Sequence, residues 1–322
     1  MPMTESDRPT TRAARSLIVP VYKNEANIPG LLETLGSMNI RLGEDFEVVF
    51  VVDGSPDHCA AMLFKELKGL PYKAQVITHS RNYGSFTAIR TGMEYATGQC
   101  MAVMSADLQE PPELIYRFFG VLESDETDVV FGRRTGRSDP FLSTVAANLY
   151  WWMYRKLVLP EVPGGGVDVF ACNRMVRDSV LSIEEPNGSL IAQVFWVGFR
   201  RSFVPYQRQP RTEGVSSWNR RRRFRYFLDS LFSYSDFPVM ILLWLGVAGC
   251  VLSIAIGTIT LVAKLLGLID VTGYTTIVLL NLFFGFALLV SQGILGCYVW
   301  RTLENSKRRP LRIVSGSRTN FT

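Results

Sequence analysis

The sequence holds little of what many enzyme chemistries draw on. It has two histidines in 322 residues, His58 and His79, which leaves histidine-based triads with few candidates. His58 reads as a helix-surface residue. Five cysteines (Cys59, Cys100, Cys172, Cys250 and Cys297) show no paired spacing, and two of them sit in long uncharged runs. Neither a disulfide framework nor a zinc site is expected. No G-x-G-x-x-G follows the first strand-like run, and no G-x-x-x-x-G-K-[ST], H-E-x-x-H or G-x-S-x-G is present. A nicotinamide dinucleotide site, a phosphate-loop NTPase, a zincin and a nucleophile elbow are thereby disfavoured. The opening MPMTESDRPTTRAAR has no apolar core, so no secretory signal is expected there.

What the chain has in excess is uncharged length. Residues 238–263 are 26 in a row without a charge, and 271–300 are another 30. Each is longer than the roughly 20 apolar residues that cross a bilayer, so the expectation is a two-helix transmembrane hairpin. Residues 200–225 carry nine arginines against Glu213, and 301–318 carry six Lys or Arg against Glu304. The connection 264–270 has one charge of each sign. By the positive-inside rule, this predicts a multi-pass protein of the cell (inner) membrane, with the large domain and both termini cytoplasmic. The basic flanks are read as facing membrane lipid rather than nucleic acid. Phe224, Phe227, Leu228, Leu231 and Phe232 recur at helical spacing behind Arg220–Arg223, which predicts an amphipathic juxtamembrane helix. The domain plan is a polar leader at 1–14, a large domain at 15–218, the juxtamembrane helix at 219–237, spans at 238–263 and 271–300, and a basic tail at 301–322.

The large domain alternates short apolar runs with helical patterns. Strands are expected at 16–22, 46–52, 74–78, 100–104 and 129–132. Helices are expected at 27–38, through 70, at 84–97 and at 112–123. This predicts an α/β fold with a doubly wound, mostly parallel sheet. Ligands of such sheets bind beyond the carboxyl ends of the strands, so the polar residues there are the candidates: 22–25, 53–55, 81–84 and 105–109. Asp53 in VVDGSPD is placed either to accept hydrogen bonds from a base or ribose, or to act as a turn and helix cap. Asp107 in SADLQEPPE ends a buried strand, where a carboxylate suits a divalent cation with substrate phosphate, or caps the next helix.

In order, VPVYKNEANI, VVFVVDGSPD, SRNYGSFTAIRTGMEYATG, MSADLQEPPEL, VVFGRRTGR and FWVGFRRSFVPYQRQPRTEGVSSW resemble family 2 glycosyltransferases of the GT-A fold. The likeness is to the subgroup that acts on polyprenyl or dolichyl phosphate, and it extends from Leu17 to Val314. The resemblance implies that Pro20, Tyr22, Glu25 and Asp53 hold a nucleotide, with Arg81 and Asn82 nearby. It implies Asp107 as the ligand of Mg²⁺ or Mn²⁺ and Gln109 as a donor-sugar contact. Arg134, Arg211, Ser216 and Trp218 would meet the acceptor or its phosphate, and Asp168 would lie near the acceptor. Asp107, Arg134 and Asp168 are the implied catalytic set. The implied partners are a UDP- or GDP-type sugar donor and a polyprenyl phosphate acceptor, with a homo-oligomer as a further implication.

Three positions depart from the family pattern. Ser105 stands where the first carboxylate of Asp-x-Asp is usual, Val52 precedes Asp53 where Asp or Asn is common, and Ser217 replaces a lysine. With one fewer hard anionic ligand, metal affinity falls. The expected reaction is inverting sugar transfer to the lipid phosphate. Its alternatives are a family 2 transferase with another lipid or glycan acceptor, and a non-catalytic membrane scaffold derived from such an enzyme.

Overall fold

The computed structural model describes residues 14–135, 167–185, 188–209 and 273–321, with scattered residues between them. Strands β1 (Arg15–Val21), β2 (Phe46–Val52), β3 (Lys73–His79) and β4 (Cys100–Val103) alternate with helices α1 (Ile28–Leu42), α2 (Cys59–Glu66), α3 (Ser85–Tyr95) and α4 (Pro112–Glu123). Every residue of β2, FEVVFVV, is buried, as a strand covered on both faces requires. Helix α4 starts at a proline, whose missing N–H costs nothing in a first turn. It buries Leu114, Ile115, Phe118, Phe119 and Leu122 along one face.

After these come β5 (Val129–Arg134), β6 (Val167–Asn173), α5 (Arg174–Leu181), α6 (Leu190–Trp196), β7 (Arg201–Tyr206), α7 (Tyr274–Ser306) and β8 (Val314–Thr319). The eight strands form one sheet in the order β7-β5-β6-β4-β1-β2-β3-β8. β4, β1, β2 and β3 run parallel. β6 is antiparallel to both β4 and β5, β7 is parallel to β5, and β8 is antiparallel to β3. The sheet is thus α/β as expected but mixed, since antiparallel pairings flank a parallel centre. The strand order reverses at β1, which puts the binding crevice at the carboxyl ends of β1 and β4. Val19, Phe50, Val76, Phe118 and Val130 belong to the core on which α4 packs.

Residues 1–226 and 310–322 make one compact unit, and residues 227–309 make another. Within 301–322, read from sequence as a basic tail, β8 completes the sheet edge of the first unit. Asn320 fastens it: its side-chain oxygen accepts from Ala74 N at 2.8 Å, and its amide donates to Leu67 O and Tyr72 O.

The membrane expectation is corrected. Among the described residues no helix is long and apolar enough to cross a membrane. Of the first uncharged run, 238–263, only scattered residues are described. The second falls in α7, which continues through Arg301 and Glu304 and has many of the run's side chains outside the described residues. Freedom from charge satisfies the length condition only; a span must also be one continuous apolar helix that satisfies its own backbone. The two-helix transmembrane hairpin and the multi-pass inner-membrane location with cytoplasmic termini are therefore not carried forward. The polar leader up to residue 13, and residues 219–234 of the amphipathic helix expected at 219–237, lie outside the described residues.

At the opposite end from the crevice, Asp128 ties three strands. Its carboxylate accepts from Arg200 Nε and Nη2, both at 2.9 Å, from Arg200 N at 3.1 Å and from Asn173 Nδ2 at 3.0 Å. The hydrogen-bonded Arg200 guanidinium holds the Asp128 carboxyl below the usual carboxylate range, against the opposing effect of burial. A lowered folded value means that this stabilisation is present above the unfolded value of about 4 and is lost as pH falls through the lower folded one. Asp128→Asn is expected to lower the melting temperature by a few degrees at pH 7, with the gap from wild type closing in acid. Calorimetry across pH 3–7 checks this, and a pH-independent gap would show that the charge contributes nothing.

Candidate active site at the strand carboxyl ends

Because β1 to β4 are parallel, their carboxyl ends share one edge of the sheet. β5 and β7 run the same way, so Arg134 and Arg208 come to that edge too, and β6 begins there with Val167 and Asp168. Sequence order scatters these residues over more than 150 positions, and the topology gathers them.

Asp53 follows β2 and is 2% exposed. Its Oδ1 accepts from Tyr83 N at 2.9 Å and lies 2.8 Å from His79 Nδ1, while Oδ2 accepts from Gly84 N at 2.7 Å. His79 Nε2 is 2.9 Å from Thr91 Oγ1, which in turn donates to Thr87 O at 3.0 Å. Asp53 is neither a simple turn former nor the cap of α2, whose N-cap is His58. Its carboxylate instead orders the loop between β3 and α3. His79 is part of this buried network, a role its place in the sequence does not announce. Arg81 and Asn82 are exposed on that loop, and the Arg81 guanidinium lies over the Tyr83 ring at 4.3 Å.

Gly54 is where two loops touch. At φ +55°, its position would put a Cβ 2.2 Å from Arg81 C and 2.5 Å from Asn82 N, so no other residue fits without moving that backbone. The loop after β1 is latched in a similar manner. Lys23 N donates to Ser55 Oγ at 2.8 Å, Glu25 N donates to Asp57 Oδ2 at 3.2 Å, and Glu25 Oε2 accepts from His58 N at 2.9 Å. Tyr22 is half-buried beside Lys23, and Pro20 lies within β1 opposite Val51.

The loop after β4 carries the acidic group. Asp107 is 9% exposed and Glu110 is 2% exposed. Ser105 Oγ lies 2.7 Å from Asp107 Oδ1 and also contacts Glu110 Oε2, so its one hydroxyl proton is shared between two carboxyl groups, and Ser105 N donates to Glu110 Oε2 at 2.9 Å. Burial pushes the Glu110 carboxyl up from its ordinary value, while its hydrogen bonds from Ser105 act the other way. The N-cap of α4 is Pro111, so Asp107 does not serve as that cap. Gln109 Oε1 accepts from Arg208 Nη2, Gln109 Nε2 donates to Gln209 O at 3.3 Å, and Gln209 N donates to Gln109 O at 2.9 Å. The strap after β7 is thereby fixed on the β4 loop, and it delivers an exposed arginine to the acidic group.

Lys23 and Leu108 both have φ of 55°, a conformation costly for residues with a side chain. One follows β1 and the other follows β4, which places stored backbone strain on either side of the crevice. Arg134 ends β5, next to Thr135, whose N–H donates to Tyr206 O at 2.8 Å. Asp168 is in β6, with its side chain outside the described residues. Arg211, Ser216 and Trp218 also lie outside them. The structure thus brings together Asp53, Arg81, Asn82, Asp107, Gln109 and Arg134 along one edge. The sequence reading did not single out His79, Glu110 and Arg208. Glu110 was visible as a third polar residue in the ADLQE run, and Arg208 as a basic residue before Arg211.

Chemically, the edge offers hard oxygen donors at Asp107 and Ser105, guanidinium groups at Arg134 and Arg208, and a polar loop fixed by Asp53. Oxygen donors suit Mg²⁺ or Mn²⁺, and planar guanidinium forks suit diphosphate. Among the described residues, no group of three or more His, Cys, Asp or Glu is placed to hold a metal ion. Asp107 would need its remaining ligands from a bound phosphate.

The chain resembles known proteins over most of its length. The family described as glycosyl transferase family 2 matches residues 16–183. The putative glycosyltransferase CsbB of Bacillus subtilis (strain 168) is 30% identical over 295 residues, which cover 92% of this chain and 89% of that one. The bactoprenol glucosyl transferase of Shigella phage SfV is 27% identical, covering 94% of this chain and 98% of that one. Among solved structures, a mannosyltransferase of Pyrobaculum calidifontis in complex with GDP-Man and Mn²⁺ aligns with a TM-score of 0.44 at 18% identity, over 62% of this chain and 56% of that one.

Gly54→Ala is expected to push residues 81–82 away and weaken the Asp53 bonds to Tyr83 and Gly84. Hydrogen–deuterium exchange should then rise in peptides spanning 80–84 and stay unchanged in β2. Protection of 80–84 equal to wild type would show that the two loops do not depend on this contact.

Proposed function

The chain belongs to glycosyl transferase family 2, and from that premise we propose that it transfers a sugar from a nucleotide sugar to a polyprenyl phosphate, with inversion at the anomeric carbon. The observation that carries the proposal is the convergence of a nearly buried Asp107, the Asp53-ordered loop and two arginines on one sheet edge. The similarity to a bactoprenol glucosyl transferase over almost the whole of both chains supports the acceptor class.

The nucleoside lies against the loops after β1, β2 and β3. Tyr22 and the exposed Arg81 and Asn82 line it, with Pro20 and Glu25 shaping the first loop. Asp53 acts chiefly through that loop, because three donors already occupy its carboxylate. The diphosphate points toward Asp107 and Arg208. Mg²⁺ or Mn²⁺ held by Asp107, with Ser105 and Gln109 beside it, would neutralise charge on the departing nucleoside diphosphate. Arg134 and Arg208 pair with phosphate oxygens, and Arg211, Ser216 and Trp218 are proposed to hold the acceptor phosphate, with Asp168 near it. UDP or GDP is the leaving group.

No strong base is required. A phosphate monoester has a second pKa near 6, as phosphorylated side chains do, so its oxygen is anionic at neutral pH. That oxygen attacks the anomeric carbon from the face opposite the diphosphate. The new carbon–oxygen bond forms as the bond to the β-phosphate oxygen breaks, and the electron pair leaves with the nucleoside diphosphate. The arginines stabilise charge as it moves onto the leaving group, which is where fixed electrostatics lowers a barrier most.

The full-length protein, undecaprenyl phosphate dispersed in detergent and labelled UDP- and GDP-sugars test the proposal. An organic-soluble lipid with the mass of polyprenyl phosphate plus the sugar less one water is expected with one donor, and labelled product with none of them would overturn it. Asp107→Ala should lower turnover by about a hundredfold or more, the scale of losing one charge-stabilising group. Full activity in that variant would remove Asp107 from the site.

A further inference from the structure

The turn after β4 holds a second carboxyl group that the sugar-transfer scheme leaves without a task. Leu108 adopts φ +55°, and its N–H donates to Ser105 O at 3.3 Å. This tight turn, stopped by Pro111 and Pro112, folds Glu110 back onto Ser105 instead of letting it point outward. Glu110 then accepts from the Ser105 main-chain N–H at 2.9 Å and touches the Ser105 hydroxyl. The same hydroxyl lies 2.7 Å from Asp107 Oδ1. Burying a carboxyl group is costly, and Glu110 has no ion pair among the described residues.

We infer that Glu110 is a positioning residue for Asp107, acting through Ser105. The inference rests on the proposed metal-binding role of Asp107. An Asp at position 105 would place its own carboxylate beside Asp107. With Ser105 there, the side chain is one atom shorter and neutral, and Glu110 comes in from the other side of the turn to hold it. Ser105 is then a link that touches both carboxyl groups, and its hold on Glu110 limits the positions from which its hydroxyl meets Asp107. Partners that orient a metal-binding carboxylate typically alter metal affinity about 10–100-fold when removed.

The test measures Mn²⁺ binding in the presence of UDP, by the electron paramagnetic resonance signal of free Mn²⁺, on the full chain. Glu110→Ala and Ser105→Ala should each weaken binding about tenfold or more. The double variant should be no worse than threefold below the weaker single, because both remove one chain of contacts. Glu110→Gln keeps an oxygen for the Ser105 N–H and should recover part of the loss. Additive losses in the double variant would overturn the inference, as would singles that bind Mn²⁺ like wild type with only a lowered melting temperature. If Glu110→Ala does not fold, Ser105→Ala and Glu110→Gln still decide it: unchanged Mn²⁺ affinity in both overturns it. Absence of Mn²⁺ binding in the wild type, by contrast, would overturn the metal role of Asp107 and this inference with it.

Discussion

A carboxylate that is almost completely buried must have its hydrogen bonds met inside the protein, and Asp53 meets this demand by recruiting the neighbouring loop. Three donors converge on it: two backbone N–H groups at the start of α3 and the ring of His79. Leaving one such donor without an acceptor costs about 1–3 kcal/mol. The loop bearing Arg81 and Asn82 is therefore held by a charge it does not itself carry. Gly54 permits the two loops to touch, since any side chain there meets the backbone of Arg81. Moving Asp53 would release the loop, so its importance does not depend on direct contact with a nucleotide.

The same need to satisfy buried polar groups shapes the other half of the crevice. Ser105, Asp107 and Glu110 bond among themselves, and Gln109 is fastened by the strap after β7. Each side of the crevice is thus an ordered loop braced by a neighbour that comes from far away in sequence. Parallel strands make this possible, because they deliver all their following loops to one edge. The antiparallel additions β6 and β8 leave that edge intact, since each begins where the parallel strands end.

Much of the parallel centre was legible from local pattern. β2 and α4 have the bounds expected, because an unbroken apolar run and a proline-started amphipathic helix are strong local signals. Strands β6, β7 and β8 were not read, for a physical reason. β8, VSGSRT, has only half-buried residues at best, so it carries no apolar run or alternation of the usual kind. What recruits it is backbone pairing to β3 and the side chain of Asn320, a contact across almost 250 residues. The uncharged runs taught the opposite lesson. They were the loudest signal in the sequence, yet among the described residues no helix is long and apolar enough to cross a membrane.

The loss of a carboxylate at Ser105 was legible as a departure, but its compensation was not. Residue spacing alone places Glu110 five positions on, just before a pair of prolines and ahead of the helix expected at 112–123, where nothing ties it to residue 105. Only the left-handed Leu108 reverses the chain so that residue 110 faces residue 105. A substitution that looks like a weakened metal site in one dimension becomes, in three, a rearrangement in which a neutral side chain joins two acidic ones. Two nearly buried carboxyl groups, Asp107 and Glu110, thus lie around the β4 turn. Ser105 stands between them, so the two carboxyl groups meet through a neutral side chain. Arg208 of the β7 strap is fixed to that same turn through Gln109, so a cationic group and the acidic ones are held together by the folding of a single loop.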